Sequence, residues 1–227
     1  MALWTIADLH LSFGTDKPMD VFGDRWRDHD EQLAALWREK IHSEDTVVLG
    51  GDISWAIDLE EFTPDLMFLH ALPGRKILLK GNHDYWWQTL KKMQEHLETL
   101  GISDIHFLQN GHFMYHETAL CGCRGWTFEG TDHEKMIRRE CGRLILSLDS
   151  APQEAEKIVF MHYPPLWDTQ EISPFVEIMR SYGVKKCFYG HLHGISVQNA
   201  PRGEIFGINF SLVSADSLDF SPHYILE

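Results

Sequence analysis

Lys76-Ile77-Leu78-Leu79-Lys80-Gly81-Asn82-His83-Asp84 runs from an apolar β-type segment through a glycine into a cluster of nitrogen and oxygen donors. Two other segments do the same: residues 3–7 lead into Asp8-Leu9-His10, and Thr46–Leu49 leads into Gly50-Gly51-Asp52. The stretches between carry helical period, with Trp26, His29, Leu33, Leu36 and Trp37 in one and Leu90, Met93, Leu97 and Leu100 in another. Alternation of strand and helix defines an α/β fold built on a parallel sheet with both faces covered. Ligands of such sheets bind beyond the carboxyl ends of the strands, where these donors fall.

Further along, short strands are expected at 105–108, His112–Tyr115 and 119–121, followed by a helix over about 131–148. Residues 157–161 read as a strand ending at His162, and Ile172, Phe175, Val176, Met179 and Tyr182 as a helix. The strand Lys186–Tyr189 ends at Gly190-His191-Leu192-His193-Gly194. In the tail, 195–197, 205–208, 211–213 and 224–226, separated by Gly, Pro and Asn, are expected as antiparallel strands. No repeat or low-complexity linker interrupts the sequence, so one domain over residues 1–227 is expected.

Composition narrows the function. The 227 residues include 20 Lys and Arg against 34 Asp and Glu, a formal charge of -14, which opposes sequence-independent binding to nucleic acid or an anionic membrane. With 44% hydrophobic and 12% aromatic residues, a chain of this length fills a core that buries roughly 70% of its unfolded surface. No apolar run approaches the roughly 18 residues of a membrane span, and residues 1–7 do not resemble a signal peptide, so a cytoplasmic location is expected. Cys121, Cys123, Cys141 and Cys187 form no CxxC pair and read as buried thiols. Histidine stands out with 14 copies, being the commonest metal ligand.

Taken jointly, Asp8, His10, Asp52, Asn82, His162, His191 and His193 supply seven N and O donors without a thiolate. Such a set suits Mn, Fe, Zn, Ni or Co. In an extended segment, residues two apart share a side, so Asp8 with His10, and His191 with His193, are each placed to grip an ion. One ion cannot use all seven donors, whereas two ions about 3.5 to 4 Å apart with a bridging carboxylate clamp the oxygens of an in-line phosphoryl displacement.

The order Asp8-x-His10, Gly51-Asp52, Gly81-Asn82-His83-Asp84, His162 and Gly190-His191-x-His193 resembles the calcineurin-like metallophosphoesterase superfamily. That resemblance implies a four-layer α/β/β/α sandwich of two mixed β-sheets flanked by helices. It also implies two divalent ions, the first held by Asp8, His10 and His193 and the second by Asn82, His162 and His191, with Asp52 as the bridge. His83 would contact the phosphoryl group and protonate the leaving oxygen, while a metal-bridging hydroxide attacks. Asp84 either orients a neighbouring histidine or caps a helix starting near Tyr85. The function implied is hydrolysis of a small phosphomonoester or phosphodiester. The alternatives are a nucleotide-directed phosphodiesterase or pyrophosphatase, and a non-catalytic scaffold of the same fold.

Two departures narrow the branch. Serine/threonine phosphoprotein phosphatases extend the second block as Gly-Asp-x-x-Asp-Arg, but here it reads Gly51-Asp52-Ile53-Ser54-Trp55-Ala56. The opening Ala7-Asp8-Leu9-His10-Leu11 resembles lipid-precursor pyrophosphatases, which commonly carry arginine where this chain has His83. Three segments bear on substrate choice. Residues 17–26 mix charged and aromatic side chains, Arg124 between Cys123 and Gly125 is a candidate fork onto a phosphate or carboxylate, and Lys135, Arg138, Arg139 and Arg143 share a presumed helix. Trp86 and Trp87 read as packing near the site.

Overall fold

The computed structural model describes residues 1–129, 133–167 and 169–227. Its first sheet has the order β11-β1-β2-β3-β4, formed by β1 (Leu3–Ile6), β2 (Thr46–Leu49), β3 (Arg75–Leu78), β4 (Ile105–Phe107) and β11 (His223–Leu226). Strands β1 to β4 are parallel, and β11 closes the edge antiparallel to β1. Helices α1 (His29–Lys40), α2 (Leu59–His70) and α3 (Leu90–Leu100) are the crossovers.

The second sheet has the order β5-β6-β7-β8-β10-β9, from β5 (His112–Tyr115), β6 (Thr118–Cys123), β7 (Glu156–Met161), β8 (Lys186–Tyr189), β9 (Gly203–Ile205) and β10 (Ile208–Leu212). Its centre is parallel and its edges β5 and β9 are antiparallel. Helices α4 (His133–Ser150) and α5 (Pro174–Ser181) cover its outer face.

Strand alternation accounts for the layering. In β2, Val47 and Leu49 face the helices α1 to α3, while Val48 faces the other sheet. In β7, Val159 and Met161 face α4 and α5, while Ile158 and Phe160 meet Val48 and Ile77 across the sandwich. Three apolar cores therefore separate four layers, helices, sheet, sheet, helices, as expected.

Some local expectations need correction. Residues 195–197 form part of a 3-10 turn, Gly194–Asn199, with no strand there. β10 runs parallel to β8, so the tail is only partly antiparallel; β9 and β11 are its antiparallel members. The pattern reading places no helix between Leu49 and Arg75, yet α2 forms despite Pro64, started by Asp58, whose carboxylate accepts the Glu61 N–H at 2.9 Å. Trp26 belongs to a 3-10 turn before α1. α3 begins at Leu90 with Thr89 as its cap, so no helix starts near Tyr85. The expected start of α4 near residue 131 lies outside the described residues. Of the four cysteines, all free, Cys141 is only half-buried.

Candidate metal centre

The carboxyl ends of β1, β2, β3, β7 and β8 converge where the two sheets meet, and each delivers one of the polar blocks. The junction is stitched by backbone: Ala7 N–H donates to Val213 O at 2.8 Å, and Asp8 N–H to Gly51 O at 2.8 Å. Asp8 (φ 61°), His10 (φ 47°), Asp52 (φ 50°) and His191 (φ 73°) all adopt the left-handed backbone region. The extended pairing expected for Asp8 with His10 is therefore wrong in its mechanism, although the two side chains do converge. Such residues cost on the order of 1 kcal/mol each and persist where surrounding structure enforces them. Close approach depends on two glycines, since a Cβ on Gly81 would collide with Asp52 Oδ1 and one on Gly190 with Asp8 Oδ2.

Among the described residues, two groups bring ligand atoms within 4.8 Å of one another: Asp8, His10 and His193 in one, and Asp52, His162 and His191 in the other. His191 and His193 thus belong to different groups, correcting the notion that they share an ion. Asn82 joins the second group through Oδ1, 2.7 Å from His162 Nε2. Asp52 touches both, with Oδ2 3.4 Å from His162 Nε2 and 3.9 Å from His10 Nε2.

Outer contacts aim the ligands. His162 Nδ1 donates to Gly50 O at 3.1 Å, leaving Nε2 toward the centre. His193 Nδ1 lies 2.9 Å from Asp216 Oδ1, turning its Nε2 toward Asp8 Oδ1 at 3.5 Å. Such partners fix tautomer and ring orientation in metal sites. Asp216 carries no motif in the sequence; the one signal is its place just beyond the end of β10.

Burial and the neighbouring charges set the titration. Burial opposes the charge on Asp8, but His193 and His162 hold its carboxyl below the usual range. Asp52 is likewise held down, burial being outweighed by His162 and His10. Against burial, the carboxylates raise His162 to about 9 and His193 to about 10, while burial takes His10 and His191 down to about 4. Asp8 Oδ1 and His10 Nδ1 are buried without a hydrogen-bond partner. A buried set of paired carboxylates and imidazoles, with an acceptor oxygen left over, fits divalent cations.

His83 lies outside both groups. Its backbone N–H donates to Asp52 Oδ1 at 2.7 Å, and its ring sits 4.5 Å from that of Trp55, which stacks on His10 at 4.9 Å. No carboxylate orients it among the described residues, and Nδ1 has no hydrogen-bond partner. Asp84 neither orients a histidine nor caps a helix, for its fully buried carboxylate accepts N–H groups from both ligand loops. Trp26, read in the helical stretch, lies edge-on to both His10 and His193. Arg124 lies outside both ligand groups; its carbonyl accepts the N–H of His162 at 3.1 Å, and its guanidinium reaches Glu140 at 3.7 Å. Trp86 is core, stacked on Phe62 at 3.6 Å.

A four-layer sandwich with metal-ligand groups at the junction of its two sheets defines the class as a metallophosphoesterase fold. The calcineurin-like phosphoesterase profile matches residues 1–194, and the chain belongs to that family. Gene 66 protein of Mycobacterium phage D29 is 40% identical over 85 residues, 36% of this chain and 40% of that protein. The phage L5 counterpart is 35% identical over 83 residues, 36% of this chain and 39% of that protein. The chain thus matches about two fifths of the length of these curated relatives. In fold, it is similar to TT1561 of Thermus thermophilus (TM-score 0.63, 10% identity, 99% of this chain and 97% of that one). It is also similar to the phosphopantetheinyl hydrolase PptH of Mycobacterium tuberculosis (TM-score 0.59, 13% identity, 99% and 95%). No described helix is long and apolar enough to cross a membrane.

Proposed function

We propose that the chain hydrolyses a small phosphomonoester or phosphodiester using two divalent ions. Asp8, His10 and His193 would hold one and Asn82, His162 and His191 the other, with Asp52 shared. The observation that carries this reading is the reach of Asp52 Oδ2 to His10 in one ligand group and His162 in the other. Ions there, of Mn, Fe, Zn, Ni or Co, would supply Lewis-acid charge for phosphoryl oxygens and a water nucleophile at neutral pH.

The chain's own residues divide the remaining work. His83 donates the proton to the leaving oxygen. Burial lowers its pKa, and an arriving phosphate dianion raises it again by adding negative charge beside the ring. Trp55, Trp26, Met19 and Phe22 wall a cleft of about 320 Å³ against His10 and His83, where they exclude water and accept an apolar or planar leaving group. That aromatic wall favours the second reading, a nucleotide-directed phosphodiesterase or pyrophosphatase, because a base stacks on such a surface. A scaffold that had lost its chemistry would carry broken ligand groups, whereas all seven positions and His83 hold competent residues.

The expected partner is a small phosphorylated compound in the cytoplasm, and the charge of -14 disfavours indiscriminate nucleic-acid binding. The reading is tested with chromogenic phosphomonoester and phosphodiester substrates, using metal-stripped protein given back Mn, Fe, Zn, Ni or Co singly. Turnover restored by an ion supports it and names the ester; no turnover with any ion counts against it.

A further inference from the structure

A second pocket, of about 170 Å³, opens beside the metal centre at the carboxyl ends of β3, β4 and β6, and contains no metal ligand. Lys80, Arg124 and Arg143 line it, together with the amides of Gln88, Gln109 and Asn110. Two carboxylates act on these cations: Glu140, fully buried, 2.8 Å from Arg143 and 3.7 Å from Arg124, and Asp84, also fully buried, whose charge attracts Lys80. Three positive groups against two negative leave the pocket an excess of one positive charge, in a chain whose formal charge is -14.

The donors are also under-used. The Lys80 ammonium, attracted by Asp84 and Glu140 from beyond ion-pair distance, makes no side-chain hydrogen bond with any described residue. Arg124, 15% exposed and stacked over Trp126, has a buried Nε without a partner. Gln109 accepts the Trp87 indole N–H through Oε1 at 3.1 Å, which leaves its amide NH₂ free to donate. Convergent cations and amide donors in a concave site are the chemistry that holds an oxyanion.

We propose that this pocket is a second anion site, taking a phosphate-sized oxyanion through Lys80, Arg124 and Arg143. The site needs no metal; its use for a non-transferred phosphate of the substrate rests on the phosphoesterase reading, whereas a free phosphate would occupy it regardless. Both loops that supply its cations lead directly to metal ligands, Lys80 to Asn82 in sequence and Arg124 to His162 through its carbonyl. An occupant therefore sits next to the reaction.

The test uses the full chain freed of metal with a chelator and titrated with inorganic phosphate by calorimetry. Saturable binding is expected, weakened about tenfold or more in Lys80→Gln, as loss of one charge-assisted hydrogen bond dictates, and kept in Lys80→Arg. Absence of phosphate binding, or binding unchanged in a Lys80→Gln protein that unfolds at the native temperature, overturns the site. This readout needs no turnover, so failure of the phosphoesterase reading leaves it standing. With metal restored, a second phosphate added to a monoester probe lowers KM, and loss of that gain in Lys80→Gln identifies a substrate phosphate as the occupant. Phosphate binding that persists with no such gain identifies a free anion.

Discussion

Asp84 Oδ2 accepts the backbone N–H of Asp52 at 2.9 Å, so the residue between the two ligand groups is held by a carboxylate that touches no ligand atom itself. The same carboxylate takes N–H groups from Gly81 at 2.7 Å, Ile53 at 2.9 Å and Ser54 at 3.3 Å, and the indole N–H of Trp86 at 3.0 Å. It thereby locks the loops after β2 and β3 together and sustains the left-handed backbone of Asp52. Burial and the charge on Asp52 push its pKa up to about 6, which leaves it ionised above neutrality.

Replacing this carboxylate by an amide sets an NH₂ group against donors it cannot pair with. Asp84→Asn is expected to destabilise the fold by roughly 1 to 3 kcal/mol and to weaken metal binding at Asp52. Chemical unfolding and metal titration measure the two effects. Native metal affinity in this variant would mean that Asp84 does not position the ligand loops.

Asp216 touches one of the two candidate ligand groups, through His193. Because it orients His193 through Nδ1 at 2.9 Å, Asp216→Ala is expected to weaken the ion held by Asp8, His10 and His193 by roughly 10- to 100-fold. Stepwise metal titration separates that ion from the other. Equal weakening of both, or of neither, contradicts the assignment.

His83 is expected to behave differently from every ligand. His83→Ala should keep its ions and lose roughly 10² to 10⁴ in turnover, the range of general acid catalysis. Metal content measured beside kcat decides the matter, and loss of an ion from this variant would make His83 a ligand instead.

Away from the centre, Asp65 in α2 is fully buried, accepting the Phe13 N–H at 2.8 Å and the Ser54 hydroxyl. Burial raises its pKa from 3.8 to about 6, so the folded chain binds this proton more tightly than the unfolded one. Stability contributed by Asp65 therefore increases as pH falls from about 7 through about 4, by up to about 3 kcal/mol for a shift near two pH units. Wild type and Asp65→Asn, unfolded by denaturant at several pH values, test the sign. Wild type that loses stability relative to Asp65→Asn on acidification would mark Asp65 as an ordinary stabilised carboxylate.

Much of this architecture is legible in the residues. Val47, Val48 and Leu49, followed by Gly50-Gly51-Asp52, announce a buried parallel strand that ends in a turn with a candidate ligand, and the structure has the strand and places Asp52 between the two donor groups. His162, which a lone position would leave structural, gains meaning from its place after the strand at 157–161. What stays hidden depends on contacts distant in sequence. Asp216 meets His193 across 23 residues, and Asp84 serves backbone groups as far as 32 residues away. Neither leaves a periodic trace. α2 escapes because Pro64 reads as a break, although helix packing of Phe62, Leu66 and Leu69 overrides it. The short tail segment at 195–197 reads as a strand because apolar residues in so brief a run fit a turn equally well.

The most direct test of the account is elemental analysis of bound metal alongside hydrolysis, in wild type and in Asp52→Asn. The account predicts two ions per chain and metal-dependent turnover in wild type, with both ion content and turnover lost in the variant, because its bridging charge serves both groups. Two ions retained with native turnover in Asp52→Asn would contradict the shared centre.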